Sequence, residues 1–422
     1  MGSRIAIIGT GYVGLTTGAC FAHLGHDVVC ADLDPGRIER LSQGHLPIYE
    51  PGLQDIVEAG IASGRLRFVV GAAEAAKDCE FAYLCVQTPQ GDDGSADLTY
   101  LQAAAADIAK VLPAHAVVVN KSTVPVGSTK VVERVLGRHD VSVVSNPEFL
   151  REGSAVSDFL KPDRVVIGSD DPSAATRVAS LYSDTSAHLL VTDPASAETI
   201  KYAANAFLAT KISFVNAVAA VCEAVGADVN DVVLGIGYDK RIGHEFLRPG
   251  PGWGGSCFPK DTRAMVKIAE NAGYDFNLLK GVVVVNDEQR ERMVTKVRNA
   301  VGGNLAGAVV AAWGLTFKAN TDDLRESPAI AIIDVLQSLG AIVKAYDPQV
   351  SQHPSINVGS DPYEVCDGAD TLLVLTEWDE FRWLDLDEVK RRLRQPNIVD
   401  TRNLLDRSAA LRSGFSYQGV GR

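Results

Sequence analysis

The segment Gly250–Asp261, with the sequence GPGWGGSCFPKD, combines a glycine-rich loop, a cysteine, a basic residue and a carboxylate. A helix is predicted to begin near Asp261, just after Cys257 and beside Lys260. A helix N-terminus and a neighbouring lysine both favour a thiolate, which is the nucleophilic form of cysteine. The glycines would let backbone N–H groups approach an anionic or sugar ligand. We predict that Cys257 is a nucleophile; the alternative is a buried structural cysteine.

A second pattern, Gly9-x-Gly11-x-x-Gly14, follows one apolar strand-like run and precedes an apolar helical one. In this context the glycines permit a tight turn, the close approach of a pyrophosphate, and close packing of helix on strand. Asp32 ends the next strand-like run, where a carboxylate accepts hydrogen bonds from ribose hydroxyls. A carboxylate there repels a 2′-phosphate, so NAD is predicted rather than NADP, although nearby Arg37 offers a phosphate contact. The alternative is a set of tight turns without a ligand.

Three loops and one helical pair are further candidates. The loops lie at 87–89 (QTP), 122–125 (STVP) and 146–153 (NPEFLREG), each after a predicted strand. Ligands of open parallel sheets bind beyond the carboxyl ends of the strands, although each loop alone is also ordinary turn chemistry. Lys201 and Asn205 are four residues apart on a predicted helix and therefore share a face. The alternative for Lys201 is a side chain that points to solvent.

An NAD site and a thiol nucleophile have a specific joint use. They can oxidise an alcohol past the aldehyde to the acid. A hydride can leave a tetrahedral thiohemiacetal, which gives a thioester that water then hydrolyses. This chemistry is the first functional hypothesis.

The elements that must position these residues alternate along most of the chain. Apolar strand-like runs occur at 4–8, 27–31, 81–86, 116–119, 141–144, 164–167 and 188–191, and the pattern returns from about 307. Such alternation with helical segments is typical of βαβ units and a parallel sheet. Between these regions, Asp193-Pro194 starts a helix of roughly 30 residues, about 45–50 Å long.

The predicted fold is α/β, with two Rossmann-like parallel-sheet domains joined by a central helical domain that contains one long helix. The predicted domain bounds are 1–193, 194–303 and 304–422. The long helix has apolar positions at 207, 212, 214, 215 and 218. These would expose too much apolar surface in a thin central domain, so at least a homodimer is expected.

Composition excludes several classes of protein. The chain has 422 residues, with 40 Lys and Arg against 53 Asp and Glu, a formal net charge of −13. An acidic surface repels nucleic acid and anionic membranes, so neither is expected as a partner. Seven scattered cysteines without a CxxC pair indicate a reducing, cytoplasmic location, and neither a metal site nor a membrane span is predicted.

The motifs resemble the UDP-glucose/GDP-mannose dehydrogenase family and are most similar to its UDP-glucose branch. The matching segments include GTGYVGL, VQTPQGDDGSADL, STVPVGST, NPEFLREGSAVSDFLKPDRVVIG, KYAANAFLATKISFVN, RIGHEFLRPGPGWGGSCFPKD, WGLTFKANTDDLRESP and VDTRN. They run in the family's order over nearly the whole chain. The resemblance implies a four-electron oxidation of UDP-glucose to UDP-glucuronate with two NAD⁺, in which the C-terminal domain binds the UDP-sugar.

The resemblance also implies roles for individual residues. Cys257 would form the thiohemiacetal and thioester, Lys201 and Asn205 would orient the sugar and stabilise an oxyanion, and Asp261 would lie near a catalytic water. Thr123 and Glu148 would position and deprotonate the water that hydrolyses the thioester. The implied NAD contacts are Gly9, Gly11, Tyr12, Val13, Gly14, Asp32, Arg37, Thr88, Thr123, Glu152, Lys260 and Arg325. The implied substrate contacts are Glu148, Phe149, Leu150, Arg151, Glu152, Lys201, Asn205, Phe246, Leu247, Arg248, Pro249, Gly250, Gly254, Lys318 and Arg402, with Arg241 reaching the substrate of a neighbouring subunit.

Three alternatives remain at this point. The same chemistry could act on GDP-mannose or on a UDP-N-acetylhexosamine. A two-electron hydroxyacid dehydrogenase shares the dinucleotide domain and the long helix, but it would need neither Cys257 nor a C-terminal α/β domain. An NAD-binding redox sensor with a reactive thiol would not need Lys201, Asn205, Glu148 and Asp261 together.

Overall fold

The structure, a computed structural model, describes residues 2–91 and 96–422. The chain forms two compact units, one of Met1–Ala204 with Arg263–Ala272 and the other of Asn205–Thr262 with Gly273–Arg422. The helices Pro194–Val225 and Phe258–Asn271 each contribute residues to both units. Each unit contains one sheet.

The first unit is built on an eight-stranded sheet with helices between its strands. The strands are β1 (Arg4–Ile8), β2 (Asp27–Asp32), β3 (Leu66–Val70), β4 (Phe81–Leu84), β5 (Val117–Asn120), β6 (Ser142–Ser145), β7 (Arg164–Gly168) and β8 (His188–Thr192). The helices are α1 (Tyr12–His23), α2 (Pro35–Ser42), α3 (Leu53–Ala62), α4 (Ala72–Ala76), α5 (Thr99–Ala109), α6 (Ser128–Leu136), α7 (Ala155–Leu160) and α8 (Pro172–Ser180). The sequence did not predict strand β3, because only one of its five side chains is buried and it has no continuous buried apolar run.

The strand order is β3-β2-β1-β4-β5-β6-β7-β8. The first six strands are parallel and have the order of a dinucleotide-binding sheet, as predicted. Strands β7 and β8 are parallel to each other, but β7 pairs antiparallel with β6 through Ser145 and Gly168. The connection between β6 and β7 contains only the six-residue α7, which is shorter than the usual crossover helix of a parallel pair.

Both faces of this sheet are covered. Ile5 and Ile7 of β1 pack into the hydrophobic core on one face, while Ala6 and Ile8 pack into a second core on the other face. Burial on both faces explains why the central strands are continuous apolar runs rather than alternating ones. The carboxyl ends of β1, β2, β4, β5 and β6 therefore lie at one edge of a sheet that is packed on both faces.

The long helix α9 spans Pro194–Val225, 32 residues, and confirms the predicted length. Its start has the predicted cap, because the Asp193 carboxylate accepts a hydrogen bond of 2.8 Å from the Ser196 N–H. By length and composition alone α9 could cross a membrane. Its buried polar residues argue for a core helix instead; they are Glu198, Lys201, Asn205, Ser213 and Asn216.

The apolar positions of α9 divide between two environments. Phe207 and Phe214 are 65% and 55% exposed, and Val221, one further heptad along, is 60% exposed. Val215, which the sequence places among the exposed apolar positions, is buried. The uncovered apolar face therefore follows a seven-residue spacing along the helix.

The second unit contains a six-stranded, fully parallel sheet of the order β11-β10-β9-β12-β13-β14. This order again has the Rossmann pattern, as predicted. The strands are β9 (Val309–Trp313), β10 (Ile342–Tyr346), β11 (Asn357–Val358), β12 (Thr371–Val374), β13 (Asn397–Asp400) and β14 (Ser416–Gln418). The helices after α9 are α10 (Val229–Gly237), α11 (Phe258–Asn271), α12 (Asn277–Ala300), α13 (Pro328–Ser338), α14 (Leu386–Arg392) and α15 (Arg407–Arg412).

Candidate active site

Each of the three glycines after β1 is required for a different structural reason. Gly9 has a φ of +99°, and a Cβ there would lie 2.8 Å from the Cys85 carbonyl oxygen. A Cβ on Gly14 would lie 1.9 Å from the Gly9 oxygen, so the helix could not pack as closely on the strand. Gly11 has no heavy atom within 4 Å of such a Cβ. The open space at Gly11, at the N-terminus of α1, fits the close approach of a pyrophosphate.

Asp32, at the end of β2, is held by its neighbours. Its Oδ2 accepts hydrogen bonds from the Thr10 N–H (3.0 Å) and hydroxyl (2.7 Å), and its Oδ1 accepts one from the Asp34 N–H (3.2 Å). Arg37 Nη1 lies 3.5 Å from Oδ2. Burial alone would raise the pKa of Asp32, but these hydrogen bonds and the guanidinium lower it below the usual value. The carboxylate is therefore ionised and oriented, and it retains acceptor capacity for ribose hydroxyls.

The first turn of α1 is tied to the loop that follows β6 through Glu50, a residue that sequence reasoning missed. The Tyr12 hydroxyl donates to the Glu50 carboxylate, which also accepts from the N–H groups of Gly153 (2.6 Å) and Ala155 (2.8 Å). Glu50 is buried, and Val13 packs against the core of the same unit. A buried carboxylate with three donors fixes these two segments relative to each other.

The loops after β4 and β5 are joined to each other. The Thr88 hydroxyl donates to the Thr123 carbonyl oxygen at 2.8 Å, and the Ser122 hydroxyl donates to the Val86 oxygen at 2.6 Å. Residues 92–95, which belong to the VQTPQGDDGSADL segment, lie outside the described residues. Thr88 and Thr123 thus share one strand-end region, as the sequence predicts.

The third loop brings a carboxylate to α9. Glu148 Oε1 lies 2.8 Å from Lys201 Nζ, and the two side chains are 3% and 4% exposed. Glu148 Oε2 accepts a hydrogen bond of 2.6 Å from the Leu150 N–H. Two cations lie near the Phe149 ring, with the Arg164 guanidinium 3.8 Å and Lys201 Nζ 5.4 Å from its centroid. A buried ion pair with additional donors is an arrangement that orients both charges.

The end of the same loop is more exposed. Arg151 forms an ion pair of 2.5 Å with Asp158 of α7, and its backbone N–H donates to the same carboxylate at 2.9 Å. Glu152 follows it and is partly buried. This loop therefore contains both buried and solvent-accessible charges.

In the second unit, Cys257 caps α11. The helix begins at Phe258, and the Asp261 N–H donates to the Cys257 carbonyl oxygen at 2.8 Å. The sequence predicted a later start, near Asp261; Pro259 is compatible with the first turn because its missing N–H would have no helical partner there. A helix N-terminus favours negative charge, so the position suits a thiolate.

Cys257 differs from the other cysteines in its exposure. Six of the seven cysteines are buried, whereas Cys257 is partly exposed, with its sulfur 3.6 Å from the Ser256 hydroxyl oxygen. Burial raises the pKa values of four others to about 12; they are Cys20, Cys79, Cys85 and Cys366. These thiols stay protonated, and the remaining two, Cys30 and Cys222, are also buried. Cys257 is therefore the candidate nucleophile.

A buried polar group lies in the first turn of α11. The Asn205 amide donates to Asp261 Oδ2 at 2.6 Å, and Lys260 Nζ lies 2.7 Å from Asp261 Oδ1. Asp261 is fully buried, and each of its two oxygens has a side-chain partner. Lys201 and Asn205 are one turn apart on α9, as their spacing predicts.

Sequence reasoning also missed the residues that hold the glycine-rich loop. Asn216 of α9 accepts from the Gly250 N–H at 2.8 Å, and Gln289 of α12 donates to the Gly250 oxygen at 2.7 Å. Asn286 of α12 accepts from the Trp253 N–H at 2.8 Å and donates back to its oxygen at 3.1 Å. For Asn216 and Asn286 the available signal was a polar side chain beside an apolar helical run, because such residues need buried partners. Gln289 stands among charged residues and has no such signal.

The glycines of this loop serve packing more than the ligand approach that the sequence suggested. A Cβ on Gly254 would lie 2.1 Å from the Glu326 oxygen. Gly252 has a φ of +119°, and Gly255 has a φ of +80° with a Phe317 ring atom 2.8 Å from the position of a Cβ. Gly250 is different, because the nearest atom to its Cβ position is Arg402 Nη1 at 3.6 Å.

Several predicted UDP-sugar contacts come together in the second unit. Arg402 lies beside Gly250 and donates to the oxygens of Phe317 (2.8 Å) and Leu375 (2.8 Å). Lys318 is the next residue, with its Nζ 5.5 Å from the Phe317 centroid. Arg402 Nε also lies 3.0 Å from Glu377 Oε2, so a carboxylate partly offsets its charge. Arg402 and Lys318 both follow strands of the second sheet, the end at which ligands of open parallel sheets bind.

Other predicted contacts have different surroundings. Arg241 is paired with Asp239 at 2.6 Å, with 89% of its side chain exposed, and Arg325 is paired with Asp323 at 2.8 Å. The Phe246 ring lies 6.2 Å from the Phe258 ring. Of the remaining residues in that segment, Leu247 is buried, Arg248 is exposed, and Pro249 is partly buried.

In the described part of the chain, no group of three or more His, Cys, Asp or Glu side chains could hold a metal ion. The charged clusters above are instead carboxylates paired with lysine or arginine.

The chain matches all three models of one family. Residues 3–186 match the NAD binding domain of the UDP-glucose/GDP-mannose dehydrogenase family, residues 195–288 match its central domain, and residues 311–407 match its UDP binding domain.

Similar proteins have related names. A UDP-glucose 6-dehydrogenase from Rhizobium meliloti (strain 1021) is 47% identical, covering 99% of each chain. Among solved structures, a UDP-glucose dehydrogenase from Pyrobaculum islandicum is 39% identical with a TM-score of 0.92, covering 100% of this chain and 98% of its own. A UDP-D-ManNAc dehydrogenase from Pyrococcus horikoshii is 28% identical with a TM-score of 0.89 and 99% coverage of both chains. On this evidence the chain belongs to the UDP-glucose/GDP-mannose dehydrogenase family.

Proposed function

We propose that this NAD-dependent oxidoreductase converts UDP-glucose to UDP-glucuronate. The observation that carries the proposal is Cys257: it caps α11 as the one partly exposed thiol, in a chain that also has a dinucleotide fold. The net reaction is R–CH₂OH + 2 NAD⁺ + H₂O → R–COO⁻ + 2 NADH + 3 H⁺. A thiol is needed because a hydride must leave the aldehyde carbon after a nucleophile has added to it.

The cofactor site draws on the loop after β1. NAD, when bound, accepts the hydride in each oxidation. Gly11 and the N-terminus of α1 would hold the pyrophosphate, and Asp32 would accept hydrogen bonds from a ribose. Thr88 and Thr123, joined by a hydrogen bond, would line the strand-end region beside it.

In the first oxidation, the C6 alcohol loses a proton and a hydride to give an aldehyde. Lys201 and Asn205 would orient the C6 oxygen and stabilise negative charge on it. Glu148 holds Lys201, and Asp261 holds Asn205. Each of these carboxylates thereby fixes the side chain that contacts the substrate.

In the second oxidation, the Cys257 sulfur bonds to the aldehyde carbon, and the oxygen takes up a proton to give a thiohemiacetal. Loss of that proton and of a hydride gives a thioester. Water then adds to the carbonyl carbon, the C–S bond breaks, and the thiolate is regenerated. Thr123 would position this water and Glu148 would accept its proton.

The choice of sugar is supported by relatives. The 47% and 39% identical proteins are named for UDP-glucose, whereas the UDP-D-ManNAc enzyme is 28% identical. Arg402 and Lys318 would contact the diphosphate but would not distinguish among nucleotide sugars. The main rival is therefore the same chemistry on another nucleotide sugar.

The test is the amount of NADH formed per nucleotide sugar. UDP-glucose, UDP-galactose, UDP-N-acetylglucosamine, UDP-N-acetylmannosamine and GDP-mannose would be compared under limiting substrate. We expect two NADH for each UDP-glucose and little turnover of the others. One NADH per sugar would reject the four-electron reaction, and preference for another sugar would reject the substrate.

We further propose that the chain acts as a homodimer or higher homo-oligomer in the cytoplasm. The exposed heptad series Phe207, Phe214 and Val221 on α9 fits a second copy of the helix, and Arg241 would reach the neighbour's substrate. Seven scattered cysteines without a CxxC pair suit a reducing compartment. Segments 1–193, 194–303 and 304–422 would bind NAD, form the helical centre with the cysteine loop, and bind the UDP-sugar, respectively.

A further inference from the structure

Lys121 is a buried cation that the reaction above does not use. It directly follows β5 and is 5% exposed. Its Nζ donates to Asn146 Oδ1 at 3.1 Å and to the Tyr182 hydroxyl oxygen at 3.3 Å. The Tyr182 hydroxyl in turn donates to Asn146 Oδ1 at 2.7 Å. The ammonium therefore contacts neutral oxygen atoms.

Fold stability alone gives little reason for a lysine here. Among the described residues no carboxylate lies within 4.0 Å of Lys121 Nζ, while the rings of Phe159 and Tyr182 lie 6.0 and 5.7 Å away. Burying a charge without an ion pair is costly, and ring contacts at these distances offset only part of that cost. A neutral side chain of similar length would fill the same space more cheaply.

Lys121 is connected to the Glu148–Lys201 pair through Asn146, to which it donates a hydrogen bond. Asn146 is the first residue of the loop that contains Glu148, and its Nδ2 donates to the Val166 oxygen at 2.8 Å. Lys121 thus fixes the side chain two residues before Glu148.

Charge connects the three groups as well. With Lys121 and Lys201 protonated and Glu148 ionised, the cluster has a net charge of +1. The titratable groups that face Lys121 are Glu148, Cys85, Lys201 and Tyr182. Burial lowers the pKa of Lys121 to about 8, with Lys201 adding to the effect and Glu148 opposing it. Burial raises the pKa values of Cys85 and Tyr182, so both stay neutral near that pH.

We propose that Lys121 is a positioning residue whose ammonium holds Asn146 and supplies the excess positive charge beside the Glu148–Lys201 pair. That charge strengthens the stabilisation of the substrate oxyanion by Lys201, because a preorganised positive environment acts where negative charge develops. The inference rests on the proposed function, in which Lys201 contacts that oxygen. Loss of the Lys121 proton makes the cluster neutral and weakens the effect.

The test compares Lys121→Met, Lys121→Arg and the control Lys130→Met. Lys130 lies in α6 of the same unit, 56% exposed and paired with Asp170. For each protein, kcat and KM for UDP-glucose are measured from about pH 6 to about pH 9.5, together with the thermal midpoint. We expect Lys121→Met to keep or raise the midpoint, to leave KM within about twofold, and to lower kcat by about tenfold or more.

The pH profile gives a readout that a structural lysine would not move. The wild-type kcat should contain a falling limb near pH 8, which Lys121→Met lacks. Lys121→Arg should recover part of kcat without that limb, because a guanidinium stays charged. Lys130→Met should match the wild type.

Several outcomes would overturn the proposal. Loss of thermal stability in parallel with activity would make Lys121 structural, and an unchanged kcat and profile in Lys121→Met would remove its role. If Lys121→Met does not fold, a wild-type profile without a limb near pH 8, or a Lys121→Arg profile that retains it, still refutes the idea. Failure of the proposed function is seen separately, as a wild type that does not oxidise UDP-glucose.

Discussion

Replacing Asp32 with asparagine tests how the chain selects its cofactor. Asp32→Asn removes one charge but keeps the shape, and the amide oxygen can still accept from the Thr10 N–H and hydroxyl. Only 17% of the Asp32 side chain is exposed, so its charge is partly shielded from water. Arg37, 3.5 Å away, would be released to contact a 2′-phosphate.

The magnitude follows from the charge and its distance. Two unit charges about 4 Å apart at an effective dielectric constant of about 20 interact by about 4 kcal/mol, and salt reduces this to about 2 kcal/mol. The wild type should therefore prefer NAD⁺ over NADP⁺ by at least about 10-fold in kcat/KM. Asp32→Asn should shift that ratio toward NADP⁺ by about 30- to 1000-fold.

The assay is initial-rate formation of NADH or NADPH with each cofactor at fixed UDP-glucose. Asp27→Asn, at the opposite end of β2, is the matched control and should keep the wild-type ratio. Because the pKa of Asp32 is below its usual value, the preference should persist from about pH 5 to about pH 9. Equal use of both cofactors by the wild type, or an unchanged ratio in Asp32→Asn, would refute the reasoning.

Two further predictions concern the second unit. Gly254→Ala places a Cβ 2.1 Å from the Glu326 oxygen and should lower the free energy of unfolding, measured by heat or urea, by about 1–3 kcal/mol or more. Gly250→Ala, whose Cβ would lie 3.6 Å from its nearest atom, should lower it by less. Equal losses in the two variants would contradict the packing argument. Phe214→Glu introduces a charge into the exposed apolar face of α9 and should shift the protein toward a 44.9 kDa monomer in sedimentation. The control Leu278→Glu, at an exposed position of α12, should leave the sedimentation unchanged. A wild type that is monomeric and fully active when diluted would contradict the dimer.

The sequence predicted the parts of the site that depend on local patterns. The loop after β1, the cap at Asp193 and the spacing of Lys201 and Asn205 all follow from a few adjacent residues. The parallel core of each sheet followed from continuous apolar runs. The antiparallel entry of β7 did not, because a strand's direction depends on how its connection packs rather than on its own residues.

Residues that act through distant partners were not predictable. Glu50 accepts from Gly153, 103 positions later, and nothing near Glu50 marks that contact. Lys121 resembles any polar residue after a strand until its burial is known. The sequence predicted that the glycine-rich loop approaches a ligand, whereas Gly254 and Gly255 pack against Glu326 and Phe317. These two partners are more than 60 positions away in the chain, so the local pattern could not reveal them.

The central claim is that the thiol of Cys257 is required for the second oxidation, and Cys257→Ala tests it most directly. UDP-glucuronate formed from UDP-glucose and NAD⁺ would be quantified by mass spectrometry for the variant and the wild type, with thermal unfolding to confirm that both are folded. We predict that acid formation falls by about 10³-fold or more, while NAD⁺ and UDP-glucose still bind. A folded Cys257→Ala protein that makes UDP-glucuronate at nearly the wild-type rate would contradict the thioester mechanism.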